Sequence, residues 1–337
     1  MILAASARYR AAWQRGLDWI LPRIADDGTP GPALQRLFYY RLPWTLALTG
    51  EIEAANRVLS WIVEHTLSDE GELDRYSPRG RLDELYGSYP LACFLMGAVL
   101  LQRFDVIRRS QNRLLGWQDS QTGGFWECWQ QRGSDSEQLL FPTAQGGMTL
   151  LALGRISAAL CAGEWLEELW RLQPYPEEQL YAARTHRGLV VNMDGLQEVE
   201  RIRYLTLRNR PFEHHFNGGI AAAFLAQLYQ ATGDERWRQL AEHYQRFSME
   251  TDDCQFESMQ TCKSGWGSGC LYAATGESKY RDWTLRMGEW FVAHQAKDGH
   301  WSNTPRWNPE PDEADDMEIT AEFVMHLVHI CRQLASR

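Results

Sequence analysis

No stretch of the chain holds the run of about 18 apolar side chains that a membrane-spanning helix requires, so no membrane partner is expected. Basic residues are nowhere clustered. The 34 Lys and Arg lie scattered among 44 Asp and Glu, for a net charge of −10, which removes the electrostatic footprint of a nucleic-acid binder. The opening MILAASARYRAAWQRGLDWI lacks the charged region, apolar centre and cleavage site of a secretory leader and reads as a mature helix. The seven cysteines have no framework. Cys254, Cys262 and Cys270 recur at eight-residue spacing, but there is no Cys-x-x-Cys and no His-x-x-x-His. A structural zinc is therefore not expected, nor any other cofactor, and an odd count of free thiols suits a reducing, cytoplasmic setting. Strand-like alternation is scarce, confined to GLVVNM (Gly188 to Met193) and ERIRYLTL (Glu200 to Leu207).

Tryptophan, by contrast, is abundant. Fifteen in 337 residues require a large core or an aromatic-lined cleft. A phrase also repeats: LPWTLALTGEIEAANRVLSWI (Leu42 to Ile62), AFLAQLYQATGDERWRQLAEHY (Ala223 to Tyr244) and SGCLYAATGESKYRDWTLRMGEWF (Ser268 to Phe291). Each is an apolar helix, a Thr-Gly-acid turn and an amphipathic helix. The Gly suits a left-handed helix end and the acid suits the next helix start. Repeats of this length are stacked supersecondary units.

The pattern predicts two alternating sets of helices. One is apolar nearly all round, over 33–48, 83–101, 143–160, 214–231, 262–274 and 316–332; the other is amphipathic, over 6–24, 51–66, 105–118, 163–172, 234–248 and 277–295. Six of each imply an inner and an outer ring, an all-α (α/α)6 toroid forming one domain over 1–337. A long connection, about 173–212, makes a small irregular or hairpin insertion. The chain must cross between rings after each outer helix. At LLGWQDSQTGGFWECW (Leu114 to Trp129) and WFVAHQAKDGHW (Trp290 to Trp301) it does so through a Gln, an Asp- and Gly-bearing turn and a Trp that can wedge between hairpins or line a rim.

Inner-helix starts should converge on one cavity, and they carry polar and aromatic residues that are unfavourable in a core unless they serve a site. The candidates follow from these starts. Asp83, in LDELYGSYP with Glu84 and Tyr86, is a general acid or base, or a helix cap. Asp315, Asp316 and Glu318 open the last helix, with Asp316 a second candidate acid and capping the competing role. His214 and His215 form the only His pair; adjacent helical residues point about 100° apart, so one faces a cavity and the other packs. Lys263 is a candidate anion binder or a snorkelling surface lysine. Glu127, between Trp126 and Trp129, is a second carboxyl at the mouth or a solvated loop residue. Trp126, Trp129, Trp266 and Trp301 can stack on a sugar, shield a carbocation or pack the corners.

Both corner phrases resemble the QW motif of squalene–hopene and terpene cyclase toroids. That resemblance implies an Asp proton donor; the nearest text to the cyclases' DxDD acid is DEADDMEITA, at a different spacing. LDELYGSYPLA and the closing DGHW…DDMEITAEFVMHL resemble unsaturated glucuronyl and rhamnogalacturonyl hydrolases, single toroids of comparable length, which implies a catalytic role for Asp83. The phrase that matches their Trp-x-Arg-Gly-Asn-Gly-Trp segment, FPTAQGGMTLLALG, has no Arg.

The leading expectation is an intracellular enzyme with uronyl-hydrolase-like acid–base chemistry on an oligosaccharide or other small molecule, with Asp83 as acid, a His of 214–215 orienting substrate and Trp126 and Trp266 stacking. The rival is a cyclase or isomerase with Asp316 or Asp315 as proton donor and aromatic faces stabilising cations. A non-catalytic glycan- or protein-binding toroid is the third.

Overall fold

A computed structural model describes residues 2–31, 38–73, 87–257, 262–302 and 310–337. Helices dominate: α1 (Ile2–Ile20), α2 (Leu42–Thr49), α3 (Ile52–His65), α4 (Tyr89–Leu100), α5 (Phe104–Gly116), α6 (Leu140–Ala152), α7 (Ile156–Arg171), α8 (Glu198–Tyr204), α9 (Phe216–Thr232), α10 (Glu235–Met249), α11 (Cys262–Thr275), α12 (Ser278–Ala293) and α13 (Glu313–Leu334). The strands are short: β1 (Gln138–Leu139), β2 (Gln179–Tyr181), β3 (Ala183–Thr185), β4 (Gly188–Leu189) and β5 (Leu205–Leu207). They pair antiparallel, in the order β1-β3-β4 and as β2-β5.

The chain falls into two compact units. One comprises Met1–Tyr86, Pro90–Leu115 and Leu285–Arg337; the other comprises Gly87–Tyr89 and Gly116–Thr284. In the first, α13 packs against α1 and α2, and α2 against α3. Every residue from Met317 to Val328 is buried, the polar Glu318, Thr320, Glu322 and His326 included. The amphipathic α3 buries only one face, through Ala55, Val58, Leu59 and Ile62. In the second unit, α9 packs against α11, α10, α6 and α7. Each fully buried Leu, Ile or Phe on these faces contributes roughly 1.5–3 kcal/mol.

The Thr-Gly phrases close helices as expected: Gly50 and Gly233 are left-handed caps of α2 and α9. After Gly233, Asp234 caps α10 by accepting from the backbone N–H of Arg236.

Three boundaries differ from expectation. In place of an inner helix over 143–160 and an outer one over 163–172, α6 stops at Ala152 and α7 runs from Ile156 to Arg171; the left-handed Gly154 makes the break. The described part of the first inner segment begins with a 3-10 turn, Phe38–Arg41, and α2 starts only where Pro43 sits in its first turn. In the 173–212 connection, strand is confined to β2–β5. Of the expected strand Glu200–Leu207, only 205–207 is strand (β5); residues 200–204 belong to the helix α8, because Gln197 and Glu200 close a reciprocal capping box at its start.

The two Gln-to-Trp corners share one construction. The Gln118 amide donates to Gly123 O at 2.9 Å and Ala158 O at 2.9 Å; the Gln295 amide donates to Gly299 O at 2.6 Å and Ala12 O at 2.8 Å. Each Gln thus ties its own turn to the helix alongside. Gly123 (φ +84) and Gly299 (φ +108) lie against that helix so closely that a Cβ would come within 2.1 Å of Cys161 O and 2.3 Å of Arg15 O. Only Gly satisfies both the dihedral and the approach. Trp301 is 1% exposed and its indole N–H donates to Phe291 O, so this corner Trp is a wedge in the first unit's core.

Candidate active site

In the second unit, the corner after α5 delivers Glu127. The Trp126 N–H donates to Trp117 O at 3.0 Å, and the Glu127 N–H donates to Glu137 O at 2.9 Å, which ties the dipeptide down beside β1. Behind it, Gln138 Oε1 accepts from the Trp165 indole at 2.6 Å and from Thr122, while its amide donates to Asp119 at 2.8 Å. Glu127 therefore projects from a fully hydrogen-bonded support.

The Glu127 carboxyl is 18% exposed and contacts the Arg203 guanidinium, with the Tyr204 hydroxyl at 3.5 Å. Burial pushes its pKa up to about 7; a hydrogen bond with the Glu137 carboxyl pushes the same way and outweighs Arg203, which pulls down. Burial and the neighbouring Glu137 carboxyl thus favour the protonated form of Glu127 near neutrality. Burial, followed by the negative field of Glu127, raises the Tyr204 phenol far above its ordinary value. On the other side of the corner, His186, from the β3–β4 turn, contacts Asp119 and stacks on Trp126 with ring centroids 5.9 Å apart.

Inner-helix starts of the second unit also meet. Tyr89 at the start of α4, Phe141 of α6 and Phe216 of α9 form an edge-to-face row, with centroids 5.5 and 5.9 Å apart. His214 lies 4.9 Å from the Phe216 ring, and Lys263 Nζ, from the first turn of α11, lies 5.3 Å from it. Lysine occurs only at 263, 279 and 297 in this chain, and Lys263 is the buried one, at 8% exposure. Burial, then the charges of Arg203, His215, Lys263 and Arg201, hold the His214 imidazole well below its usual range, so it is neutral at neutral pH. The field of Arg203 thus acts on both His214 and Glu127.

The approach to α9 is rigid and strained. Phe212 adopts φ +62, uncommon for a bulky residue. It is held there by Glu213, whose fully buried carboxylate takes Arg201 at 2.5 and 3.1 Å and the Leu207 N–H at 3.2 Å. His215 Nε2 meets Arg210 O at 3.1 Å, and burial lowers its pKa. Of the His pair, His214 joins the aromatic row and His215 packs against the loop.

The remaining expected residues are distributed as follows. Trp126 and Glu127 lie at the corner beside Arg203, and His214 and Lys263 lie at the Phe216 ring, with the Arg203 charge acting on both Glu127 and His214. Trp266, 3% exposed, is buried in the first turns of α11. Trp129 packs edge-on to Trp117 at 5.2 Å with the Arg132 guanidinium 3.8 Å over its ring, a surface arrangement of the corner. Asp316 and Trp301 belong to the first unit. Asp315 and Asp312 form a capping box at the start of α13, and Asp316 lies 3.5 Å from His300 Nε2. Asp83 and Tyr86 lie outside the described residues.

Reasoning from the sequence passed over Arg203, Tyr204 and Glu137, because residues 200–207 have an alternation that hides a helix. It named Glu318 but passed over the buried polar stripe to which Glu318 belongs in the first unit. There, Arg41 Nη1 bridges Glu318 at 2.8 Å and Glu322 at 3.6 Å, and His326 lies 3.7 Å from Glu322. The signal was available: Glu318, Glu322 and His326 recur every four residues through an otherwise apolar helix.

No protein-family model and no curated protein matches the sequence. Solved structures do match along nearly the whole length. A D-mannose isomerase aligns with TM-score 0.67 and 11% identity over 97% of this chain and 96% of its own. An unsaturated glucuronyl hydrolase specific for heparin aligns with 0.65 and 10% identity, over 99% and 98%. A type II terpene cyclase from Scytonema, solved with geranylgeranyl dihydroxybenzoate, aligns with 0.59 and 12% identity, over 99% and 100%. The fold is the (α/α)6 toroid. At such identities the likeness gives the scaffold, and function has to be argued from the site. No described helix is long and apolar enough to cross a membrane.

Proposed function

We propose that this toroid is an enzyme that acts on a carbohydrate by acid–base chemistry, with Glu127 as the proton-transferring group. One observation carries the reading: a mostly buried carboxyl whose pKa is raised to about 7, sharing a hydrogen bond with Glu137, in contact with Arg203 and beside Trp126. A general acid–base works best with its pKa near the operating pH. Trp126 has Glu127, His186 and Asp119 around it, polar groups of the kind that a polyhydroxylated substrate needs and a dry polyene cavity excludes. Neutral His214 offers an imidazole for hydroxyl recognition or proton relay, and Arg203 and Lys263 supply positive charge suited to a sugar carboxylate. This favours a uronyl-hydrolase-like reaction. Protonated Glu127 gives its proton to the substrate, and the carboxylate left behind takes one from the attacking water, which restores the acid.

The test is turnover of a panel holding an unsaturated uronide disaccharide, free aldoses and a polyene diphosphate-free cyclase substrate. Glu127→Gln is expected to lower sugar turnover by about 100-fold or more while the chain stays folded at neutral pH. Wild-type activity should fall as pH rises above about 7, where the acid loses its proton. Undiminished sugar turnover by Glu127→Gln would overturn the assignment. Cyclisation of the polyene, abolished by Asp316→Asn, would replace it with the rival. Asp83→Asn, run alongside, tests the residue that the hydrolase resemblance points to.

A further inference from the structure

We propose that the second unit carries a separate cleft for a neutral oligosaccharide on its amphipathic helices, built over Trp283. A cavity of about 510 Å³ opens between α10 and the first turns of α12. That is within the roughly 300–1,000 Å³ of small-molecule sites. None of its lining residues belongs to the Glu127 cluster.

Its depth and rim differ in chemistry. Tyr280 is buried and Trp283 and Met249 are half-buried, whereas His243, Arg246, Glu250 and Lys279 are exposed and Glu242 is intermediate. An aromatic bottom thus lies under a polar rim. The Trp283 ring is fixed from behind. Its indole N–H donates to Ser264 Oγ at 2.9 Å, that oxygen also accepts from Ser248 Oγ at 2.9 Å, and Phe256 packs 5.4 Å away. A held aromatic ring loses little conformational freedom when a ligand stacks on it.

The rim decides the class of ligand. Glu242 is paired with Arg238 at 2.5 Å, Glu250 with Arg208 at 3.0 Å and Lys279 with Glu277 at 2.8 Å. Arg246 Nη2 lies 3.1 Å from His243 Nδ1, and partial desolvation of the ring, then the Arg246 charge, lowers the His243 pKa. The rim therefore offers hydrogen-bonding groups of both kinds, with the formal charges of Glu242 and Glu250 balanced by those of Arg246 and Lys279. An anion would face Glu242 and Glu250, and a cation would face Arg246 and Lys279. A wholly apolar ligand would strip water from all four without replacing its hydrogen bonds. A neutral sugar meets both demands, with ring C–H groups on the indole face and hydroxyls on the rim.

The test reads binding at Trp283 and is independent of turnover. In the full chain labelled with 15N, the Trp283 indole N–H signal is assigned by its loss in Trp283→Phe, then followed during titration with mannotriose and with cellotriose. At least one of these should move the signal saturably, with a Kd of roughly 0.1–1 mM. Arg246→Ala should weaken that binding about fivefold, the value of one net hydrogen bond, while Glu127→Gln leaves it unchanged. The proposal is overturned if neither neutral trisaccharide moves the signal. It is equally overturned if only trigalacturonate or free indole does, or if the response disappears in Glu127→Gln, which would make it a relay from the other site.

Discussion

Replacing Glu127 with Gln gives a stability signature that can be read without knowing the substrate. The carboxyl titrates at about 7 in the folded chain against an ordinary value of 4.5. The folded state therefore holds a proton that the unfolded state has released. Stability from this group is fully present below the ordinary value and is lost as pH rises towards the folded value, at about 1.4 kcal/mol per unit. Integrated from 4.5 to about 7, the loss amounts to roughly 3 kcal/mol. Gln cannot titrate, so the slope disappears. His214, depressed by burial, has the opposite sign: it destabilises the fold as pH falls below the usual imidazole value, in both proteins alike. The quantity to measure is therefore the difference in urea-unfolding free energy between wild type and Glu127→Gln, at half-unit steps from pH 4 to 8. It should shift in favour of the variant as pH rises and level off above about 7. A difference that stays flat across that range would mean that Glu127 is an ordinary surface carboxylate, and the acid–base argument would go with it.

The scaffold makes predictions of its own. Gly123→Ala forces a Cβ to within 2.1 Å of Cys161 O at φ +84, and should cost about 3 kcal/mol or more. Gly50→Ala, at φ +92 with nothing within 4 Å, should cost only about 1 kcal/mol; equal melting temperatures for the two would refute the close-approach argument. Gln295→Ala removes bonds of 2.8 and 2.6 Å to two backbone carbonyls and should lower stability by roughly 1–3 kcal/mol, measured as a shift in denaturant midpoint. Glu213→Ala leaves Arg201 beside an empty buried site and should cost about 3–5 kcal/mol in chemical denaturation, with Glu213→Gln milder.

The helical plan was legible because its signals are local. Thr-Gly-acid turns, all-round apolar helices and Gln-to-Trp corners each depend on residues a few positions apart, and Gly50 and Gly233 behave as those phrases imply. Where a local signal was ambiguous, the reading drifted. Gly154 broke a helix that apolar periodicity carried through, and the Gln197–Glu200 box turned an alternating segment into α8.

That last change matters most for the site. Sequence could nominate Glu127, Trp126, His214 and Lys263 one by one, from polar or aromatic residues at helix starts and corners. It could not say that α8, more than 70 residues downstream, lays Arg203 and Tyr204 on Glu127, nor that His214 rather than His215 joins the aromatic row. Pattern and propensity act over a few residues and set which segments coil and which face is greasy. Desolvation and charge pairing, which make one carboxyl among 44 acidic residues hold a proton at neutral pH, depend on which distant side chains the packed helices bring within a few ångströms, and only the tertiary structure decides that.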